Sequence, residues 1–451
     1  MSTVTPPAKP PRFRLNPQTA RRLKRFRNLK RGYYSFCLLF FLVVMAALGP
    51  LLVGNRALAV KYNGRLHFPV LTGFIPGSTF GLGTSYETDY RNLKRVFQER
   101  GGEDWVLMPL VPFNGTEVVD VIQPLPLQDG QYRDPQRGGD PIRDAKGLIL
   151  RADGSIRRVF TIVNGQLHGP MWGNNELDRV VERGTFENGK LVKYTPIGPD
   201  LPAEFEEPGL TKLYYQLPNP APPGVAGHVL GTDEYGRSVA ARCFYGFRVL
   251  ILAAVIYLVM VYSIGISVGC VMGYFGGTFD ILVQRFIEVW SCVPFLYVVI
   301  ILSSLFVPNL FLLMGIIVIF SWMGMTYYMR TATYREKARD YVAAARLIGA
   351  TPGRIIFRHI LPNSLSMIVT FIPFSVASVV GSLTSLDFLG FGLPPSYPSW
   401  GEMLKQGTEN HETLWILGTV FTSLCTVLIL VTFIGEAIRE AFDPKKFVVY
   451  K

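Results

Sequence analysis

The chain has 451 residues, 49% of them hydrophobic and 17% charged, with a net charge of +12. A soluble protein of this length carries more charge and divides into two or three domains. Here the apolar residues are gathered into long uncharged runs, which excludes an ordinary soluble enzyme, and the basic residues flank those runs instead of forming a nucleic-acid-binding face.

In chain order, residues 1–32 form a basic segment with ten Lys or Arg and no acid. The first apolar run is 35–53, so 33–54 is expected to be the first transmembrane helix. A cleaved signal peptide is disfavoured: the basic leader is over thirty residues long and the run exceeds an h-region. Five further runs without Asp, Glu, Lys, Arg or His occupy 249–275, 289–307, 310–329, 367–386 and 413–435. Each is about long enough to cross ~30 Å of hydrocarbon as a helix. Six spans are therefore expected, the last five within a core at 237–451.

Residues 55–236 hold nineteen bases and twenty-two acids, whereas 330–366 holds seven Arg or Lys against Glu336 and Asp340. Excess positive charge marks cytoplasmic faces. Both termini and the 330–366 loop are expected inside, and 55–236 outside. No cysteine lies in 55–236, so that segment holds together by packing alone.

The outer segment has hairpin punctuation: "VKYNGRLHF" (60–68), "LILRADGSIRRVF" (148–160), "TIVNGQLHG" (161–169) and "GTFENGKLVKY" (184–194). Asn-Gly or Asp-Gly between apolar arms signals a two-residue hairpin, because both central residues take positive φ. "PLPLQDG" and "PNPAPPGVAG" read as Pro-rich connectors. A β-rich domain is expected at about 115–215, on a shorter arm after the first span.

Two enzyme-like patterns fail on context. "GTFENGK" (184–190) matches part of a phosphate loop, but Leu191 follows where Ser or Thr must hold Mg²⁺. "GISVG" (265–269) matches a nucleophile elbow, yet Ser267 lies mid-span instead of on a strand-to-helix turn. Gly265, Gly269 and Gly273 recur every four residues and make a flat face for close helix packing. The five histidines show no metal-ligand spacing, and no nucleophile–base set can be assembled. No catalytic residue, metal site or cofactor site is expected, and no residue can be tied to a substrate.

Spans without ionisable residues also lack the groups that ion-coupled carriers place within the bilayer. If the chain transports, its energy enters from another polypeptide. "YVAAARLIGATPGRIIFRHILPN" (341–363) offers the contact. Tyr341, Ala344, Ala345 and Ile348 fall at i, i+3, i+4 and i+7 on one helical face. Gly349 ends that helix, Thr351 and Pro352 start another, and Pro362 is expected to stop it. Bulky apolar residues suit lipid docking, whereas paired alanines and a glycine suit a protein groove.

"AAARLIG…RHILPN" resembles the cytoplasmic-loop signature of ABC-importer permeases, in which Glu-Ala-Ala…Gly docks on the ATPase. Ala344, Ala345 and Gly349 match, while Ala343 stands where the family has Glu, so a salt bridge made by that Glu is absent. "HVLGTDEYGRSVAARCFYGFRV" (228–249), "GYFGGTFDILVQRFIEVWSCVPFLY" (273–297), "TSLDFLGFGLPPSYPSWGEML" (384–404) and "GEAIREAFDP" (435–444) resemble oligopeptide/dipeptide-type permeases (OppC/DppC) in order. With "KYNGRLHFPVL" (61–71), the wording is most similar to the YejE-type branch, which serves peptide and microcin C import.

The resemblance implies an all-α polytopic membrane protein: six transmembrane helices in a type I ABC importer permease fold, with the β-rich insertion between helices 1 and 2. It implies a non-enzymatic subunit in the bacterial inner membrane. Its partners would be a second permease (YejB-like), an ATPase (YejF-like) holding ATP and Mg²⁺, and a periplasmic peptide-binding protein (YejA-like). The resemblance does not cover the β insertion. A membrane-anchored scaffold or sensor acting through that insertion is the competing reading, but it has no need of a groove-docking loop. A channel would show a polar pore face.

Overall fold

The computed structural model describes residues 17–82, 85–133, 140–151, 156–175, 179–197, 213–217 and 219–442. Much of the N-terminal basic segment, the Asp153-Gly154 turn and the end of "GEAIREAFDP" lie outside the described residues. The chain divides into two compact units. One comprises 1–44, 248–394 and 422–451; the other comprises 45–247 and 395–421.

The first unit is helical. Helix α1 (Pro17–Asn28) leads into α2 (Lys30–Ala47), and α4 (Val239–Phe275) enters from the other unit. Then come α5 (Gly277–Ser291), α6 (Phe295–Leu305), α7 (Leu310–Lys337) and α8 (Asp340–Leu347). Helix α9 (Pro352–Phe388) and, beyond α10 (Trp400–Glu409), α11 (Leu414–Phe442) complete the set. Among the described residues five helices, α2, α4, α7, α9 and α11, are long and apolar enough to cross a membrane.

The expected third span, 289–307, is not one helix. It falls across α5 and α6, which meet at 68°. Pro294 lies in the break and caps α6; proline has no N–H to continue a helical ladder and forces the residue before it out of the α region. Counted as one bent span, this pair makes the sixth. The first span also stops short of 53: α2 ends at Ala47, and Gly49–Leu52, with Pro50, forms a separate turn.

Helix α4 packs closely on α7 through its glycines. A Cβ at Gly265 would lie 2.7 Å from Met325 Cβ, at Gly269 2.5 Å from Thr326 O, and at Gly273 2.6 Å from Arg330 O. Backbones that approach this closely need small residues.

The second unit carries the strands. β1 (Ala59–Tyr62) pairs with β2 (Arg65–His67) and β3 (Trp105–Leu107), and helix α3 (Tyr90–Arg100) packs against β3. Val60, Phe80, Leu93 and Val106 lie in the core of this arm. The larger sheet has seven strands in the order β11-β10-β9-β8-β7-β12-β4. These are β4 (Ile122–Leu125), β7 (Asp144–Leu150), β8 (Ile156–Val163), β9 (Gln166–Asn174), β10 (Val180–Glu187), β11 (Lys190–Pro196) and β12 (Leu213–Gln216). Phe160, Ile162, Met171, Phe186 and Leu213 lie in its core.

Asn63-Gly64, Asn164-Gly165 and Asn188-Gly189 all take positive φ at hairpin turns, as type I′ turns require. "GTFENGK" is accordingly the β10–β11 turn, with Glu187 opposite Lys190. "PLPLQDG" is more than a connector. It folds as a hairpin of β5 (Leu127–Gln128) and β6 (Gln131–Tyr132), turning at Asp129-Gly130 with φ of 52° and 72°.

Candidate coupling surface

The segment from the end of α7 to the start of α9 is built from strong local signals. Arg339 is extended and opens α8, whose first turn holds Asp340; an acid there favours the helix dipole. At the other end, Gly349 N donates to Arg346 O at 2.9 Å and Ala350 N to Ala345 O at 3.0 Å. With Gly349 at φ +79°, these two bonds form a Schellman cap. The Thr351 hydroxyl then accepts from Arg354 N, and Pro352 occupies the first turn.

Pro362 does not stop this helix. Ile355–Ile360 is wound as a π-helix that runs directly into Leu361–Phe388. A proline inside an α-helix removes one donor and crowds the carbonyl four residues back. Here Leu361 N bonds Ile356 O, five residues back, so the register shifts one residue ahead of the proline and the helix continues.

The four positions expected to share one outward face are divided. Ala345 is 4% exposed and Val342 is fully buried; these two turn α8 toward its own chain, where it packs on α7 and the π segment. Tyr341 is half-buried, and its hydroxyl donates to Glu336 Oε2 at 2.9 Å. Burial, and then this bond to a carboxylate, push its pKa up. Ala344 and Gly349 face outward. So do Leu347 and Ile348, at 88% and 84% exposure. The stripe misled because 342/345 and 344/348 both satisfy helical spacing; the sequence does not say which one the chain keeps for itself. Leu347 was missed.

Charged groups fix the surroundings. Buried Glu336 takes Arg339 Nε at 3.1 Å as well as Tyr341. Arg346 of α8 lies 5.2 Å from the centre of the Tyr274 ring on α4, a cation–π contact. Asp280, in the first turn of α5, accepts both Nε and Nη2 of Arg330 at 2.6 Å, and Tyr334 Oη at 2.6 Å. This bidentate fork ties α5 to α7. Neither Asp280 nor Glu336 was singled out in the sequence; the available signal was Glu336 three residues ahead of Arg339.

Among the described residues there is no group of three His, Cys, Asp or Glu placed to hold a metal. The surface offers a rigidly held helix with exposed aliphatic side chains, and no reactive centre.

Comparison with known proteins accords with this. Residues 265–448 match the family described as "Binding-protein-dependent transport system inner membrane component". The peptidoglycan transport system permease protein YejE of Agrobacterium fabrum is 31% identical over 445 residues, 97% of this chain and 96% of that protein. The inner membrane ABC transporter permease protein YejE of Escherichia coli is 31% identical over 437 residues, 96% of this chain and 99% of that protein. The oligopeptide transport system permease protein OppC of Haemophilus influenzae is 33% identical over 232 residues, 51% of this chain and 75% of that protein. With the same sequence pattern retained along nearly its whole length, the chain belongs to the YejE family of inner-membrane ABC-importer permeases.

Proposed function

We propose that this chain is the membrane-spanning subunit of an importer that moves peptides or peptide-bearing compounds from periplasm to cytoplasm. Family membership supports the class, and the names of its relatives support the cargo: peptidoglycan for one, oligopeptides for another. Microcin C, a peptide-bearing compound, falls within the same chemistry. An ATPase subunit (YejF-like) holding ATP and Mg²⁺ drives the cycle, a second permease (YejB-like) completes the pathway, and a binding protein (YejA-like) delivers the cargo. ATP-driven movement of α8 shifts the spans between inward- and outward-facing packings, a population shift between two states.

One observation carries this reading. Leu347 and Ile348 stand almost fully exposed on a short helix, between two apolar spans, whose other side is anchored by Val342 and Ala345. An aliphatic pair held out in this way suits insertion into a protein groove. Ala345→Trp would disturb the chain's own packing and so does not test docking. Leu347→Asp with Ile348→Asp does: the chain is expected to insert normally while losing ATPase co-purification and peptide uptake by about tenfold or more. Parent-level co-purification and uptake would remove α8 as the docking element.

A further inference from the structure

The sheet of the outer segment has a second face that import by the spans leaves unexplained. Register places two rows of side chains across β9, β10 and β11: Trp172–Arg183–Thr195, and Pro170–Thr185–Lys193. Neighbouring strands lie about 4.8 Å apart, so each row is about 10 Å long. Together with Ile197 these side chains line a cavity of ≈ 630 Å³. Lys146 Nζ sits 5.8 Å from the Trp172 ring centre, adding a third cation.

No carboxylate lines this cavity. Among the described residues neither Arg183 nor Lys193 has an ion-pair partner. Glu182, next to Arg183, points to the opposite side of the strand, where buried Arg158 holds it at 2.5 Å and Tyr194 at 2.8 Å. The arrangement leaves an indole face, two threonine hydroxyls and three cations without countercharge. An indole ring suits the C–H face of a sugar, hydroxyls suit its polar edge, and the cations suit carboxylates.

We infer that this cavity binds an anionic amino-sugar glycopeptide of the kind that makes up peptidoglycan fragments. Resting on the import reading, this names its cargo class and gives the insertion a direct part in capturing it. A bare peptide lacks the ring for Trp172, and a neutral sugar lacks the charge for Arg183 and Lys193; the cavity selects the molecule that has both.

The test is calorimetric titration of the purified full chain in lipid nanodiscs, with a disaccharide–peptide fragment of peptidoglycan as probe. The parent is expected to bind it at least about tenfold more tightly than the free stem peptide or the neutral disaccharide. Trp172→Ala and the double variant Arg183→Gln/Lys193→Gln are each expected to weaken binding by about tenfold. The double variant changes only exposed side chains, so it decides the matter if Trp172→Ala folds poorly. Absence of binding by the parent, variants that bind like the parent, or a stem peptide that binds equally well would each overturn the site. Uptake of short unglycosylated peptides is measured alongside: a failed titration with intact uptake removes the sugar site alone, whereas failed uptake strikes at the import reading.

Discussion

His228 shows how a single side chain can be placed by burial instead of chemistry. It is 1% exposed and stacks on Phe113 with ring centres 3.8 Å apart. Burial, and then the charge of Arg91, lower its pKa from 6.5 to about 4. The folded state thus binds fewer protons than the unfolded state between those values, and stability rises with pH across that window. The contribution is fully present above about 6.5 and is lost as pH falls toward about 4, amounting to at most about 3 kcal/mol. Thermal unfolding of the full chain is expected to shift downward between pH 7.5 and pH 5, and His228→Gln is expected to flatten that shift. An unchanged pH dependence in the variant would place the sensitivity elsewhere. The sequence showed only that His228 lacks metal-ligand spacing; its ring partner lies 115 positions away in the chain, and no local pattern could reveal it.

Helices and hairpins were legible to different degrees, for physical reasons. The Asn-Gly turns were plain because few residues accept positive φ at two successive positions. The glycine row of α4 was plain because a spacing of four stays on one helix face. The break at Pro294 was missed because an unbroken apolar run hides a bend: hydropathy measures composition, while the ladder of backbone bonds depends on each donor. Pro362 misled in the opposite direction, because the π segment ahead of it absorbs the missing bond. The surface of α8 was half-legible, since two stripes fit the same period and only tertiary contact chooses between them. The glycine row gives the test at this scale. Gly269→Ala places a methyl where Thr326 O and Met329 Cβ stand 2.5 and 2.8 Å away, and overpacking of this kind costs about 1–3 kcal/mol. Gly324→Ala on α7 meets nothing within 4 Å and is expected to be neutral or to gain up to about 1 kcal/mol from helix propensity. Melting of the purified chain should separate the two; equal melting temperatures would mean that α4 and α7 do not pack through this row.

At the scale of the whole molecule, charge and hydropathy act together to decide which parts face which compartment. The outer segment is nearly balanced in charge, and its two small cores need no disulfide. The 330–366 loop, with seven bases against two acids, carries the aliphatic pair of α8. Cytoplasmic retention of positive charge then sets Leu347 and Ile348 on the side where ATP is made, and the basic-faced sheet on the side where peptidoglycan lies. Single cysteines in a background with the five native cysteines replaced put this orientation to the test. Gln128→Cys, on an exposed hairpin arm, is expected to react with a membrane-impermeant maleimide in intact spheroplasts. Ile348→Cys, expressed without an ATPase to cover it, is expected to react only after permeabilisation. If Ile348→Cys labels from outside, α8 cannot meet an ATPase and both the topology and the coupling role fall together. If instead Gln128→Cys is silent until the membrane is opened, the sheet is internal and cannot capture cargo in the periplasm, whatever it binds in solution.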